Sequence, residues 1–178
     1  FGSGRPVTAE VGKHVIAEEW EKAVMTYIAM EGAAENDDVH AFRAHVRANG
    51  PTEEGLALAP QWLGFERRMV EHLLKREDDF VGAFKKLPGN LQLMTVHALQ
   101  SVVFNKALHA RIEAGLPISR PVAGDLVGRI DEKGQLDASS CVNVEERTLP
   151  RISRNCEMGR LVTTGPLPGS EIKTCEGE

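Results

Sequence analysis

Hydrophobic positions recur with the period of an α-helix along the chain up to about residue 117. This periodicity predicts helices at 6–16, 19–30, 37–48, 65–76, 78–85 and 90–115. Breaks separate them at Asn49-Gly50-Pro51 and Leu87-Pro88-Gly89, because glycine and proline interrupt regular structure. The first part of the chain is therefore expected to be mostly helical.

The last of these segments predicts one long helix that Asn90 caps and Gly115 ends. Its first half is apolar on most sides, which is typical of a helix buried among other elements. Four polar residues recur at every fourth position and share one face: His97, Ser101, Asn105 and His109. Since an unpaired buried polar group costs roughly 1–3 kcal/mol, this polar stripe is expected to find partners. His97 fits a core histidine bonded to a backbone carbonyl at least as well as a catalytic group.

Beyond Pro117 the pattern changes to short strand-like pieces with turn residues between them. Strands are predicted at 125–131, 136–144 and 159–164, with a hairpin loop at 132–135. Helices followed by strands indicate an α+β fold. We expect a mostly helical part at 1–117, which contains the long buried helix, and a smaller strand-rich part at 118–178.

Composition is that of an ordinary globular domain. With 178 residues, 42% hydrophobic and 26% charged, the chain can bury one sizeable core or two small lobes that share one. No apolar run approaches the roughly 20 residues that cross a bilayer, so no membrane partner is expected. Cys141, Cys156 and Cys175 stand far apart, which predicts neither a metal site nor a disulfide framework. A reducing cytoplasm is the default location.

The net charge of −5 argues against a surface wholly devoted to nucleic acid, so any RNA contact must be local. Arg147, Arg151 and Arg154 would share a helical face, although Pro150 either interrupts or starts that helix. The other basic clusters are Arg67-Arg68 with Lys75-Arg76, and Lys85-Lys86. Such clusters are more often solvated surface than binding sites.

Two further positions have competing interpretations. Arg5, beside the helix N-terminus near Pro6, is the best single candidate for a phosphate contact, although the glycines around it are typical of a flexible turn. Asp125 follows Gly124 and precedes Leu126-Val127, where a turn enters the predicted strand, which favours a turn residue over a catalytic carboxylate.

Four phrases resemble motifs of one enzyme family, the tRNA pseudouridine synthase D family. VHALQSVVFN at 96–105 resembles the family's third motif, usually h-A-Y-Q-S-Y-L-F-N. FG at 1–2 with RPVT and VGK within 5–13 resembles the end of the second motif and the helix after it. The P-x-x-G-D-x-V pattern at 121–127 and GRLVTTGPLPG at 159–169 resemble two later phrases. Four phrases in the right order form a specific match, whereas one alone would be weak.

The resemblance implies isomerisation of a uridine in tRNA to pseudouridine by an aspartate carboxylate, with no metal or organic cofactor. The target base would have to leave its stack, at a cost of a few kcal/mol. The family's aspartate lies in a G-x-K-D-x-x-A phrase, and this sequence contains no Lys-Asp pair. We therefore interpret the chain as an internal piece, the inserted domain plus the third-motif helix, and expect it to be inactive alone.

Within that scheme the long helix can present Gln100, Ser101 and Asn105 to the catalytic cleft or to the loop that carries the aspartate, with Phe1 as further support. Leu99 and Val102 replace the usual aromatic residues and are expected only to pack. The candidate tRNA contacts are Arg5, Lys13, Arg147, Arg151 and Arg154.

Two other function classes stay open: a non-catalytic RNA-binding domain and a structural interaction module. The sequence leaves undecided which uridine is modified, which basic cluster contacts RNA, and the oligomeric state.

Overall fold

A computed structural model describes residues 7–165, 167 and 169, so the candidates Phe1 and Arg5, together with Cys175, lie outside the described residues. The described part forms eight helices and three strands: α1 (Val7–Ile16), α2 (Trp20–Ala29), α3 (Asp37–Asn49), α4 (Glu53–Leu58), α5 (Gly64–Lys75), α6 (Phe80–Phe84), α7 (Gly89–Glu113), β1 (Leu126–Ile130), β2 (Leu136–Asn143), α8 (Leu149–Glu157) and β3 (Leu161–Thr164). Seven of the described helices precede the strands and α8 lies between β2 and β3, which confirms the predicted α+β fold.

The chain divides into two compact units, residues 1–99 and 100–178, and the division falls within α7. The first unit has a core of apolar side chains from several helices. Its fully buried members include Val11, Val24, Ile28, Val39, Phe42, Val46, Met69 and Val70. Burying a side chain of this size contributes roughly 1.5–3 kcal/mol, so these helices are held together mainly by their apolar faces.

A buried arginine lies inside this apolar core. The Arg43 side chain, only 1% exposed, donates to both carboxylate oxygens of Glu35 at 2.8–3.0 Å and to the Ile28 carbonyl oxygen at 2.6 Å. One of its terminal nitrogens also lies 3.4 Å from Glu66 Oε1. A buried charge is tolerated when its hydrogen bonds are satisfied, and here they link α2, α3 and α5.

Gly12 brings α1 close to the start of α7. A Cβ atom at this position would lie 2.1 Å from the carbonyl oxygen of Thr95, which is well inside van der Waals contact. Both residues are buried. The glycine of the V-G-K phrase is therefore required by the approach of the two helix backbones.

The second unit contains a three-stranded antiparallel sheet in the order β2-β1-β3. Val127 of β1 pairs with Val142 and Thr163 and packs with Val144 and Ile152 in a small core. Between β2 and β3 comes α8, whose first turn contains Pro150. Proline thus starts this helix, where its missing N–H has no intrahelical partner to lose.

Three details differ from the sequence prediction. The helix α4 was not expected, although Thr52 caps it by accepting a hydrogen bond from the Gly55 N–H at 3.0 Å. Asn90 does not cap α7, because the helix already begins at Gly89 and the Pro88 carbonyl accepts from Leu91 and Gln92. At the other end Gly115 has φ +70°, which confirms the predicted glycine stop.

The structure also corrects the expected burial of α7. Of its 25 residues only Thr95 and Ala98 are buried. Large apolar side chains are exposed on it, namely Leu93, Met94, Val102, Val103 and Ile112. The physical reason is that an apolar composition favours burial but does not supply the partner, and the described residues cover only part of the helix surface.

Candidate functional site

The three residues predicted to support an active site lie within two turns of α7. Gln100 and Ser101 are half-buried, and Asn105 is exposed. The remaining members of the polar stripe, His97 and His109, are exposed as well, and His109 Nε2 lies 3.3 Å from Glu113 Oε1 on the next turn. The polar stripe exists as predicted, but it points largely to solvent in this chain.

Phe104 fixes this stretch of α7 against the segment that follows β3. A Cβ atom at Gly165 would lie 2.5 Å from the Phe104 ring, so only glycine leaves room for the ring there. The phrase T-G-P-L-P-G at 164–169 thus contains, at its second position, a residue that contacts the third-motif helix. The contact joins the Gln100 to Asn105 stretch to the segment that directly follows β3.

Arg111 at the end of α7 holds the loop that leads into β1. Its guanidinium forms two short bonds to the Asp125 carboxylate, at 2.6 and 2.7 Å, and donates to the carbonyl oxygen of Pro117 at 2.8 Å. Asp125 is buried and also accepts from the Val122 N–H at 2.8 Å. The turn interpretation of Asp125 agrees with these contacts, whereas the ion pair was not predicted, because no periodic signal links positions 111 and 125.

Two of the three predicted arginines lie on the outer face of α8. Arg151 and Arg154 are exposed and three residues apart, so they share one face. Arg147 precedes the helix and pairs with Glu145, which raises the pKa of Arg147. Its charge is therefore locally compensated, while the described residues place no carboxylate within ion-pair distance of Arg151 or Arg154.

Other basic candidates have structural partners. Arg67 donates to the carbonyl oxygens of Leu56 and Ala59 at 3.0 and 2.6 Å, which ties α5 to α4. Arg68 lies over the Phe65 ring, 4.9 Å from its centroid. Lys13 is 65% exposed, with its Nζ 4.0 Å from Glu10 Oε2. Lys13 therefore keeps most of its side chain in solvent.

Metal-binding clusters and membrane-spanning helices are absent from the described ranges. Within residues 7–165 no group of three His, Cys, Asp or Glu side chains is arranged to hold a metal ion. Cys141 and Cys156 are free and half-buried, and burial raises the pKa of the Cys156 thiol. None of the helices described here is both long and apolar enough to cross a membrane.

Comparison with known families decides the identity of the fold. A family model described as tRNA pseudouridine synthase D matches residues 1–178. The chain belongs to the tRNA pseudouridine synthase D family. This confirms the resemblance drawn from its four phrases.

Relatives within the pseudouridine synthase D family are longer than this chain. A Methanosarcina mazei protein assigned as tRNA pseudouridine synthase D is 40% identical over 177 residues, which is 99% of this chain and 40% of the relative. A Methanopyrus kandleri protein with the same assignment is 43% identical over 127 residues, 71% of this chain and 32% of the relative. The chain thus spans about two fifths of the length of the curated relatives it matches along its full length.

A solved structure of a family member has the same fold. The crystal structure assigned as tRNA pseudouridine synthase D (TruD) from Methanosarcina mazei has a TM-score of 0.88 and 41% identity. It covers 95% of this chain and 39% of that protein. The helices and the small sheet described above are therefore present in this solved structure as well.

Proposed function

We propose that this chain is the part of a tRNA pseudouridine synthase that binds tRNA and supports the active site from α7. The observation that carries the proposal is the match of the whole chain to the family. The reaction would be isomerisation of a uridine in tRNA, with a catalytic aspartate supplied by residues outside these 178. The chain has the supporting helix but no Lys-Asp phrase, so we expect it to be inactive alone.

The outer face of α8 is the proposed tRNA contact within the described residues. Arg151 and Arg154 are exposed on α8 without a carboxylate of the described residues within ion-pair distance, and a guanidinium binds phosphate oxygens in a fixed geometry. Arg147 contributes less, because Glu145 already engages it. Arg5 and Lys13 remain further proposed contacts.

A tRNA-binding titration tests this surface. The chain should bind tRNA with an affinity that falls steeply with salt, because each phosphate contact releases counterions. Changing Arg151→Glu together with Arg154→Glu should weaken binding and reduce the slope of log affinity against log salt by about one to two. The matched control is Lys75→Glu at the end of α5 together with Arg76→Glu directly after it, which makes the same change in charge and should leave the slope unchanged.

Support of the active site is proposed for Gln100, Ser101 and Asn105. Their amide and hydroxyl groups can fix a neighbouring loop through directed hydrogen bonds. The test is a chimera in which this chain replaces the matching segment of the Methanosarcina mazei relative. In the chimera, Asn105→Ala should cut single-turnover pseudouridine formation by about tenfold or more while tRNA affinity barely moves, since a misplaced carboxylate weakens the transition state.

A second outcome of the Asn105 experiment would contradict the positioning role. If Asn105→Ala shifted only the melting temperature and left the rate unchanged, the residue would serve stability alone. Likewise, a chain that binds no tRNA at any salt would favour the alternative of a structural interaction module.

A further inference from the structure

A surface cavity in the first unit is not used by the proposed function. It has a volume of about 340 Å³ and is lined by side chains of α1, α2, α6 and α7. Val15, Trp20 and Leu93 form apolar walls, and the Trp20 ring lies 5.7 Å from the Phe84 ring, centroid to centroid. Sites for small ligands are typically of this kind, with apolar or aromatic walls and volumes of about 300–1,000 Å³.

Two polar side chains accompany these walls. Lys85 lines the cavity and is exposed, and in the part of the chain described here no carboxylate lies within ion-pair distance of it. Gln92 donates through Nε2 to the Leu87 carbonyl oxygen at 2.7 Å, which leaves its Oε1 as an acceptor beside the cavity. The acidic neighbour Glu19 is already engaged by His14 and Lys22.

We infer that this cavity takes one unstacked nucleotide of an RNA, with its base against Trp20 and its phosphate near Lys85. Any base has a face that stacks on an aromatic ring, and unpaired bases are the parts of RNA that proteins receive in this way. The Gln92 carbonyl oxygen can accept from an amino or imino group on the base edge. A purely apolar occupant would need neither the cation nor the amide.

This inference rests on the proposed role in tRNA modification, which supplies RNA as the partner. The site is nevertheless separate from the outer face of α8 and can be tested alone. The probe is a short single-stranded oligouridylate, titrated into the 178-residue chain.

The fluorescence of Trp20 can report binding in the cavity once the other tryptophan is removed. The chain has two tryptophans, and Trp62 is 67% exposed and does not line the cavity. In a Trp62→Phe background, the oligouridylate should quench Trp20 fluorescence in a saturable way. Equilibrium dialysis of a labelled oligouridylate measures the same binding without relying on fluorescence.

Two variants place the binding in the cavity. Leu93→Glu places a negative charge in the cavity wall, and the fold should tolerate it because the Leu93 side chain is 56% exposed. The charge should repel the phosphate and weaken oligouridylate binding by roughly five- to hundredfold. Lys85→Ala should weaken binding by about three- to tenfold and flatten its salt dependence. The matched controls are Leu58→Glu on α4 and Lys75→Ala on α5, which lie outside the lining residues and should change neither.

The outcomes are decisive in either direction. Absence of saturable binding up to millimolar oligouridylate would overturn the inference, and so would equal affinity in the Leu93→Glu variant. The cavity would then be better explained as a site that an apolar side chain fills. Loss of binding in Arg151→Glu with Arg154→Glu, without any effect of Leu93→Glu, would do the same while supporting the α8 surface. Cavity-dependent binding that survives the α8 changes supports the inference whatever the fate of the proposed tRNA contact on α8.

Discussion

Gly12 determines how closely α1 can approach α7, since its missing side chain leaves room for the carbonyl of Thr95. Replacing glycine by alanine inside an exposed helix usually stabilises it by up to about 1 kcal/mol. At Gly12 the added methyl group would overlap backbone, which cannot rotate away. The sign of the effect should therefore reverse.

We predict that Gly12→Ala lowers the free energy of unfolding by about 1–3 kcal/mol, because the helices must separate to admit the methyl group. Urea denaturation followed by circular dichroism measures the loss. Gly64→Ala on α5 is the control, since a Cβ atom there meets nothing within 4 Å. Equal effects of the two substitutions would show that the approach of α1 to α7 is not tight.

The pair of Arg111 and Asp125 is the second residue-scale feature with a measurable role. Asp125→Asn keeps an acceptor for the Val122 N–H but leaves the guanidinium without its counter-charge. Because the two side chains are only 17% and 10% exposed, we expect the variant to lose about 2–4 kcal/mol of stability. Arg147→Ala, which breaks an exposed pair, should cause no measurable change in the same denaturation assay.

At the scale of elements, α6 is a short helix whose start depends on one carboxylate. Asp79 accepts from the Gly82 N–H at 2.8 Å and lies 2.8 Å from His72 Nε2. The Gly82 hydrogen bond, and after it the His72 hydrogen bond, hold the pKa of Asp79 below its ordinary value. A carboxyl with a lowered pKa stabilises the fold above its unfolded-state pKa, and this contribution disappears as pH falls through the folded-state value.

Asp79→Asn should therefore melt at a lower temperature than the parent near neutral pH, and the difference should shrink below about pH 4. Melting curves recorded across the acid range give the comparison. A difference that stays constant at every pH would mean that the charge of Asp79 contributes nothing to α6.

The helix α7 presents apolar side chains to solvent. Relatives in its family are longer than this chain, so they contain further residues that can cover this face. Val103, which is 42% exposed, tests whether another part of such a protein covers this face. We predict that Val103→Lys leaves the melting temperature of the 178-residue chain unchanged but lowers that of the Methanosarcina mazei chimera by several degrees. Leu58→Lys on α4 is the matched control and should behave alike in both proteins.

On the scale of the whole molecule, the order of elements was predictable because it depends on local signals. Helical period, the αL stop at Gly115 and the turn before β1 can each be recognised within a few residues. The helix α4 carried a capping signal at Thr52 that could have revealed it.

Features that join distant residues could not be predicted in the same way. The partner of Arg111 lies 14 positions away across an irregular loop, and the compensation of Arg147 by Glu145 depends on a turn conformation. The predicted burial of α7 was wrong because its apolar composition does not show whether other residues pack against it. For the candidate site, sequence indicated the polar stripe and the basic helix, whereas the cavity beside Trp20 required the fold.

The buried Arg43 couples the motions of the helices that surround it. Opening of α2, α3 or α5 alone would leave a charged side chain without its partners in the apolar interior. Each partial opening is therefore disfavoured unless the other helices open too. We expect amide protons in these three helices to exchange with deuterium through one shared event. Arg43→Met combined with Glu66→Gln, which removes both buried charges and fills the space, should allow the helices to exchange at separate rates. Native-state hydrogen exchange under increasing denaturant would resolve these rates. One guanidinium would thus determine whether the first unit unfolds locally as a single cooperative unit or helix by helix.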